Sequence, residues 1–396
     1  MNPDLERLNP YPFVRLRALF EGVEPPADRD AVNLGIGEPK QAPPGFVLDT
    51  IDAHRGDFAR YPLTGGTAEL QRACADWATA RFGLADDLLE PGRHVIPVNG
   101  TREALYGIAQ AVVGAKQRPA IAMPNPLYQI YEGAAFMAGA EPVYVAVGDD
   151  GLPDYTALPE AVLERLELVY LCSPANPTGG VLDEDGYRAL FELADRYDFV
   201  IAADECYSEI YPDEAAPPTG ILQAAAEAGR TGFERCLAFH SLSKRSNLPG
   251  LRSGFVAGDP QLIAGFLQLR TYMGNASPLP LQAGAAAAWA DEEHVRANRA
   301  AYRERFAAVL EVLQPALDVE APAGGFYLWP RVPGGGEAFA RELYAREAIT
   351  VLPGAYLGRD TGDGNPAAEH VRIALVDEVE RCVDAAWRIR GVAEQF

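Results

Sequence analysis

Between residues 95 and 258 the chain alternates short apolar runs with amphipathic segments, and this repeat constrains the fold more than any other feature. HVIPVNG, PAIAMPNP, EPVYVAV, LELVYLCSP, FVIAADECY, ERCLAFHSLS and LRSGFVAG read as strands. Strands this apolar are buried on both faces. Helices are expected over 67–83 (Thr67 as cap, Gly83 as stop), from Thr101 as cap, in YQIYEGAAFMAG, and over Asp183–Tyr197. The pattern predicts an α/β fold: a mostly parallel seven-stranded sheet covered by helices.

Outside that repeat the pattern loosens. A short helix is expected over Pro12–Phe20, and 276–313 reads as one long helical stretch. GGFYLWPRV and HVRIALV read as strands and the C-terminus as a helix, which makes a smaller α+β domain. The expected division is a large domain, 46–285, and a small one, 286–396, to which the segment 1–45 returns. Residues 358–369 read as a mobile surface loop.

Charge and cysteine usage narrow the partners. Lys plus Arg number 34 and Asp plus Glu 56, a net charge of −22. That argues against nucleic acid or an anionic membrane as partner. Five cysteines without a C-x-x-C pair argue against a disulfide scaffold or a zinc knuckle, and no metal site is expected. The chain has no apolar run of about 18 residues and no signal-peptide pattern at its start, so a cytoplasmic protein is expected.

In open α/β sheets ligands bind beyond the carboxyl ends of the strands, so the residues that follow each strand matter most. Gly100-Thr101 ends a strand and opens a helix, a site for an anion. It lacks the GxxxxGK[ST] and GxGxxG patterns, so a single phosphate fits better than a nucleotide. Ser241, Ser243 and Arg252 offer hydroxyls and a forked cation to the same group. Asp204 ends a very apolar strand, where an unpaired carboxylate costs several kcal/mol, so it needs a cation or a protonated ring nitrogen. Lys244, in SLSKRSNLPG, can form a Schiff base. Asn176 and Tyr207 can bond a phenolate oxygen, and Tyr128 can stack on a ring. Taken singly, each is as well read as a cap, a turn-former or a surface charge. Together they suit pyridoxal phosphate.

The segments NPLY, SPANPTGG, ADECY, SLSKRSNLPGLRSG and HVRIALV resemble those of the class I/II aminotransferases, pyridoxal phosphate enzymes of fold type I. The likeness runs from NLGIGEP, at 33–39, to the terminal helix. FHSLSKRSNLPGLRSGFVAGD and NLGIGEPKQAPP resemble, within that family, the bacterial succinyldiaminopimelate aminotransferases. The resemblance implies that Lys244 takes the cofactor's aldehyde and then shuttles a proton. It pairs Asp204 with the pyridine nitrogen, puts Asn176 and Tyr207 on the ring oxygen, and stacks Tyr128 on the ring. Thr101, Ser241, Ser243, Arg252 and the backbone of Gly100 and Arg102 would hold the phosphate. Tyr61 would reach the phosphate of a partner subunit, giving a homodimer with composite sites. Arg372 would clamp the substrate α-carboxylate, helped by Asn176 and the backbone of Gly37. Cis peptides are implied at Asn125-Pro126 and Asn176-Pro177.

The implied reaction moves an amino group from glutamate to N-succinyl-2-amino-6-oxopimelate, giving N-succinyl-LL-2,6-diaminopimelate. Its alternatives are another amino-acid specificity (aspartate, aromatic or N-acetylated) and a lyase on the same fold. Lys40, Arg245, Arg359, Arg15 and Arg17 are the basic residues to inspect for a distal carboxylate.

Overall fold

A computed structural model describes residues 1–396. Its strands are β1 (Val32–Asn33), β2 (Val95–Val98), β3 (Ala120–Asn125), β4 (Glu141–Ala146), β5 (Leu166–Cys172), β6 (Val200–Asp204), β7 (Cys236–Ser241), β8 (Gly254–Gly258), β9 (Tyr327–Leu328), β10 (Ile349–Thr350), β11 (Leu352–Pro353) and β12 (Val371–Ala374). Seven of them form one sheet in the order β2-β8-β7-β6-β5-β3-β4, as the alternation predicts. Only β8 runs against the rest. Every residue of β3, β5, β6 and β7 is buried, because helices cover both faces. Trp77, Phe255 and Trp289 pack on one face, and Tyr131, Phe239 and Phe266 on the other.

This topology decides where polar groups gather. β2, β5, β6 and β7 all end at one edge of the sheet. β8 is antiparallel, so its start lies at that edge too, with Gly254 paired to Ser241. Arg252, just before β8, is thereby delivered beside the end of β7.

Two local expectations change. The cap before helix Thr101–Val112 is Gly100, at φ +79°, and Thr101 lies in the first turn. Its hydroxyl is turned instead toward Cys206 Sγ, 2.9 Å away. The stretch 276–313 is two helices, Leu279–Ala290 and Glu293–Leu313. Asp291 breaks it: its backbone is extended and its carboxylate accepts from the His294 N–H at 3.0 Å, a capping bond that begins the second helix. The first of these helices crosses residue 285 unbroken, and its Trp289 still packs on the large sheet. Elsewhere the local reading matches. Thr67 Oγ1 accepts from the Leu70 N–H, Gly83 stops that helix at φ +61°, and Pro12–Leu19 is helical.

The second body is built on β11-β12-β9, an antiparallel sheet. β1, from the N-terminal segment, pairs in parallel with β10, and Val32 and Leu34 enter the core beside Leu313, Leu328 and Ile373. In the 358–369 loop, residues 360–364 are exposed while the ends are held. Arg359 N–H donates to Asn125 Oδ1 (2.8 Å), Asn125 Nδ2 donates back to the Arg359 carbonyl (2.9 Å), and Asn365 Nδ2 donates to the Ala355 carbonyl (3.1 Å). Cis peptides stand at Asn125-Pro126 and Asn176-Pro177, as the resemblance implies, and at Ser173-Pro174, which it does not. No helix is long and apolar enough to cross a membrane.

Candidate active site

Beyond the carboxyl edge of the large sheet lies a cavity of about 580 Å³. All the expected site residues except Gly100 and Tyr61 line it. Gly100 is directly behind, and a side chain there would overlap the Arg252 guanidinium. Tyr61 is fully exposed and lies away from the chain's own cavity.

Lys244 follows β7 in the short helix Leu242–Arg245. Its Nζ donates to the Gly37 carbonyl. Burial, with Arg372 acting in the same direction, pushes its ammonium down to about 8. Near neutral pH such an amine has a substantial nucleophilic fraction, where an ordinary lysine, at about 10.4, has almost none.

Asp204 closes β6. Its carboxylate accepts from the Tyr131 hydroxyl at 2.7 Å and from the Cys206 N–H at 3.3 Å. Burial pushes its carboxyl up from the usual range, while those donors hold it down. Neither donor carries a charge, so the buried carboxylate still suits a cationic partner.

An anion cradle lies close by. Gly100 has no side chain to cap helix Thr101–Val112, so first-turn N–H groups stay open. Ser241 and Ser243 hydroxyls stand 2.9 Å apart, and Arg252 is anchored on the Pro249 carbonyl at 2.9 Å. Arg252 adopts φ +53°, an uncommon conformation for a non-glycine residue that aims its side chain back at the cradle.

Arg372 lies between Val371 and Ile373, which enter the core, so its own side chain faces the cavity. It is not the water-facing edge arginine that the alternation also allows, being 5% exposed. Nη1 donates to Asn176 Oδ1 and Nη2 to the Gly35 carbonyl, both at 3.0 Å, and Nε is buried without a partner. Two of its five N–H donors are used and Nε is shut in the protein, which leaves one on each terminal nitrogen for an anion. The same bond orients Asn176 and leaves its amide N–H groups free.

None of the five basic residues considered for a distal carboxylate lines the cavity. Arg245, 1% exposed, donates to the Ala288 carbonyl at 2.7 Å and to Glu292 at 2.5 Å. Arg359 pairs with buried Glu132, Lys40 with Asp377, and Arg15 lies 4.0 Å over the Tyr356 ring; Arg17 is exposed. The cavity instead presents the Arg102 side chain, expected to act through its backbone. Its Nε donates to the Tyr128 hydroxyl (2.8 Å) and Nη2 to the Tyr11 hydroxyl (3.1 Å).

Sequence reasoning also missed Tyr131 and Tyr327. Tyr131 lies in the first turn of helix Gln129–Met137, three residues beyond Tyr128, the extended residue that precedes it, and that closeness in the sequence could have flagged it. Nothing local marks Tyr327, since GGFYLWPRV reads only as a strand.

This donor set fits one cofactor: a phosphate for the cradle, a protonated ring nitrogen for Asp204, a ring oxygen for Asn176 and Tyr207, and an aldehyde for Lys244. Pyridoxal phosphate has all four. Comparison with known proteins leads to the same place. A family model, aminotransferase class I and II, matches residues 29–385. An LL-diaminopimelate aminotransferase from Nitratidesulfovibrio vulgaris is 31% identical over 398 residues, 97% of each chain. The 4-dedimethylamino-4-oxo-anhydrotetracycline transaminase of Streptomyces rimosus is 36% identical over 365 residues, 90% of this chain and 92% of its own. Among solved structures, an aminotransferase from Neisseria meningitidis has a TM-score of 0.95 at 47% identity, over 99% of this chain and 100% of the other. A probable N-succinyldiaminopimelate aminotransferase from Thermus thermophilus has a TM-score of 0.83 at 25% identity, over 96% and 100%. The likeness spans nearly the whole chain in sequence and in fold, and the chain therefore belongs to the class I and II aminotransferases, pyridoxal-phosphate-dependent enzymes of fold type I.

Proposed function

We propose that the chain transfers an amino group from glutamate to N-succinyl-2-amino-6-oxopimelate, giving N-succinyl-LL-2,6-diaminopimelate, a cytoplasmic step of diaminopimelate and lysine synthesis. The observation that carries a substrate with a carboxylate beyond its α-carboxylate is the pair of guanidinium groups left for it at the cavity. With Arg252 in the anion cradle, Arg372 and Arg102 remain. Each gives two N–H donors to protein atoms and keeps at least two on its terminal nitrogens, enough for a forked bond to a carboxylate. Arg372 takes the α-carboxylate and Arg102 the distal one. The loop wording shared with succinyldiaminopimelate aminotransferases, and the Thermus thermophilus neighbour of that name, support the succinylated form. A second reading, free LL-diaminopimelate, is favoured by the relative named for it.

Pyridoxal phosphate, when bound, supplies the electron sink that lets an α-proton leave. The chain's own residues do the rest. Asp204 holds the ring nitrogen protonated, and Tyr131 holds Asp204. Asn176 and Tyr207 bond the ring oxygen, and Tyr128 packs on the ring. Gly100, Thr101, Arg102, Ser241, Ser243 and Arg252 hold the phosphate through backbone N–H groups, hydroxyls and a guanidinium. Lys244 Nζ would take the α-proton and return it at the cofactor's aldehyde carbon. Gly37 lends its backbone to the substrate side. Tyr61, exposed on its own chain, reaches the phosphate site of a second copy, so the working unit is a homodimer. Sedimentation at micromolar concentration checks this, and a fully active monomer overturns it.

The substrate is tested with purified holoenzyme and 2-oxoglutarate as acceptor. The amino donors compared are N-succinyl-LL-diaminopimelate, its N-acetyl analogue, LL-diaminopimelate, aspartate and phenylalanine. The highest kcat/KM is expected for the succinylated donor. Preference for LL-diaminopimelate replaces the first reading with the second, and preference for aspartate or phenylalanine removes both. Ammonia release without an acceptor identifies a lyase.

A further inference from the structure

Tyr327 has no task in the transamination outlined above, yet it touches three groups that do. It is buried in β9 and lines the cavity. Its hydroxyl is 3.0 Å from that of Tyr207. Its ring faces the Arg372 guanidinium at 4.3 Å. The hydroxyl also fills the space a Cβ at residue 37 would need, so glycine is required there, and it is the Gly37 carbonyl that receives Lys244 Nζ.

The hydroxyl pair acquires a direction when a ring oxygen is present. Each phenol has one proton to donate. Once the Tyr207 hydroxyl donates its hydrogen bond to the ring oxygen, its own oxygen is free to accept one from Tyr327. In a site screened from water, a bond received at one end of such a chain strengthens the bond donated at the other. The ring, meanwhile, attracts the guanidinium over its face and limits where Arg372 can point. We propose that Tyr327 is a positioning residue that joins the two halves of the site: its ring sets the carboxylate clamp and its hydroxyl strengthens the Tyr207 bond to the cofactor. This rests on the roles proposed above for Tyr207 and Arg372.

The two tasks lie on different atoms, so substitution separates them. Tyr327→Phe keeps the ring and removes the hydroxyl. Weaker bonding at the ring oxygen leaves it a better acceptor for the neighbouring proton. The pH midpoint of the holoenzyme's visible band should therefore rise, by about half a unit. Affinity for a carboxylate inhibitor that lacks an amino group should change little. Tyr327→Leu removes both features and should weaken that inhibitor by about 2- to 30-fold as well. Gly37→Ala, which crowds the hydroxyl, should move the band as Tyr327→Phe does.

Tyr207→Phe is measured alongside as the reference. If it shifts the band and Tyr327→Phe does not, the coupling is wrong while the reading of the site stands. If neither shifts it, Tyr207 is not the ring-oxygen ligand and both fail. Loss of inhibitor binding in Tyr327→Phe equal to that in Tyr327→Leu would overturn the separation of tasks. Tyr327→Phe is nearly isosteric, so the band can be read even if Tyr327→Leu does not fold.

Discussion

Replacing Arg372 by lysine keeps the charge and removes the fork. In the structure two guanidinium N–H groups are fixed on Asn176 Oδ1 and the Gly35 carbonyl, Nε is shut in the protein, and one N–H on each terminal nitrogen remains for a carboxylate. A lysine has three N–H donors in all, on one nitrogen. It cannot satisfy Asn176 and Gly35 and still hold both oxygens of a carboxylate in one plane. The loss is one charge-assisted bond to substrate plus a weakened tie to the protein, together about 2–4 kcal/mol. At 1.4 kcal/mol per decade that is about 30- to 700-fold in kcat/KM. Donor and acceptor share the α-carboxylate, so both half-reactions should slow together. Cofactor affinity should hold, because the anion cradle at Arg252 and the start of helix Thr101–Val112 is built from other residues. Single-turnover absorbance changes at the cofactor band measure each half-reaction separately. A loss confined to the succinylated substrate would refute the reasoning, since Arg372 would then read the distal end.

Other groups respond in ways the geometry specifies. The apoprotein should capture pyridoxal phosphate faster as pH rises and level off above about 8, because only the neutral Lys244 amine attacks the aldehyde; a stopped-flow rate that climbs on toward about 10.4, as for an ordinary lysine, contradicts this. Tyr131→Phe removes the hydroxyl bonded to Asp204 and should weaken cofactor binding by about 10- to 100-fold, as loss of a bond to a charged group does; unchanged affinity in a fluorescence titration would leave Tyr131 a packing residue. Arg245→Ala should lower stability by about 2–4 kcal/mol in urea unfolding, because bonds to the Ala288 carbonyl and Glu292 are lost, while KM stays the same; a raised KM would return Arg245 to the substrate site.

The sheet and most of the site were legible because they depend on local pattern. Apolar runs such as LELVYLC can be buried on both faces only in a covered sheet, and the strand ends then fix where Asp204, Ser241 and Arg252 meet. What could not be read was side-chain direction. Arg245 adjoins Lys244 in the chain, yet one step along the short helix turns it into the core against Trp289, at 4.9 Å. The sequence points to Arg102 through its backbone alone, since no spacing in it reveals that Tyr11 and Tyr128 hold its side chain at the cavity. Tyr327 comes from a strand 120 positions beyond Tyr207, and the segment before it is tied to the Tyr207 loop by the Gly325 N–H, which donates to the Ile210 carbonyl at 2.8 Å, a contact no sequence pattern marks. The break at Asp291 was hidden for a related reason: an acidic residue inside an alanine-rich stretch reads as a solvated helical position until its carboxylate is seen to cap His294.

The most direct test is to trap the cofactor on the chain. Only three lysines are present, Lys40, Lys116 and Lys244. Lys40 pairs with Asp377, and Lys116 donates to the Leu166 and Tyr197 carbonyls, so only Lys244 stands in the cavity. Borohydride reduction of the holoenzyme, followed by peptide mapping, should put a single pyridoxyl group on the peptide that contains Lys244. A label on Lys40 or Lys116, with Lys244 unmodified, would contradict the site.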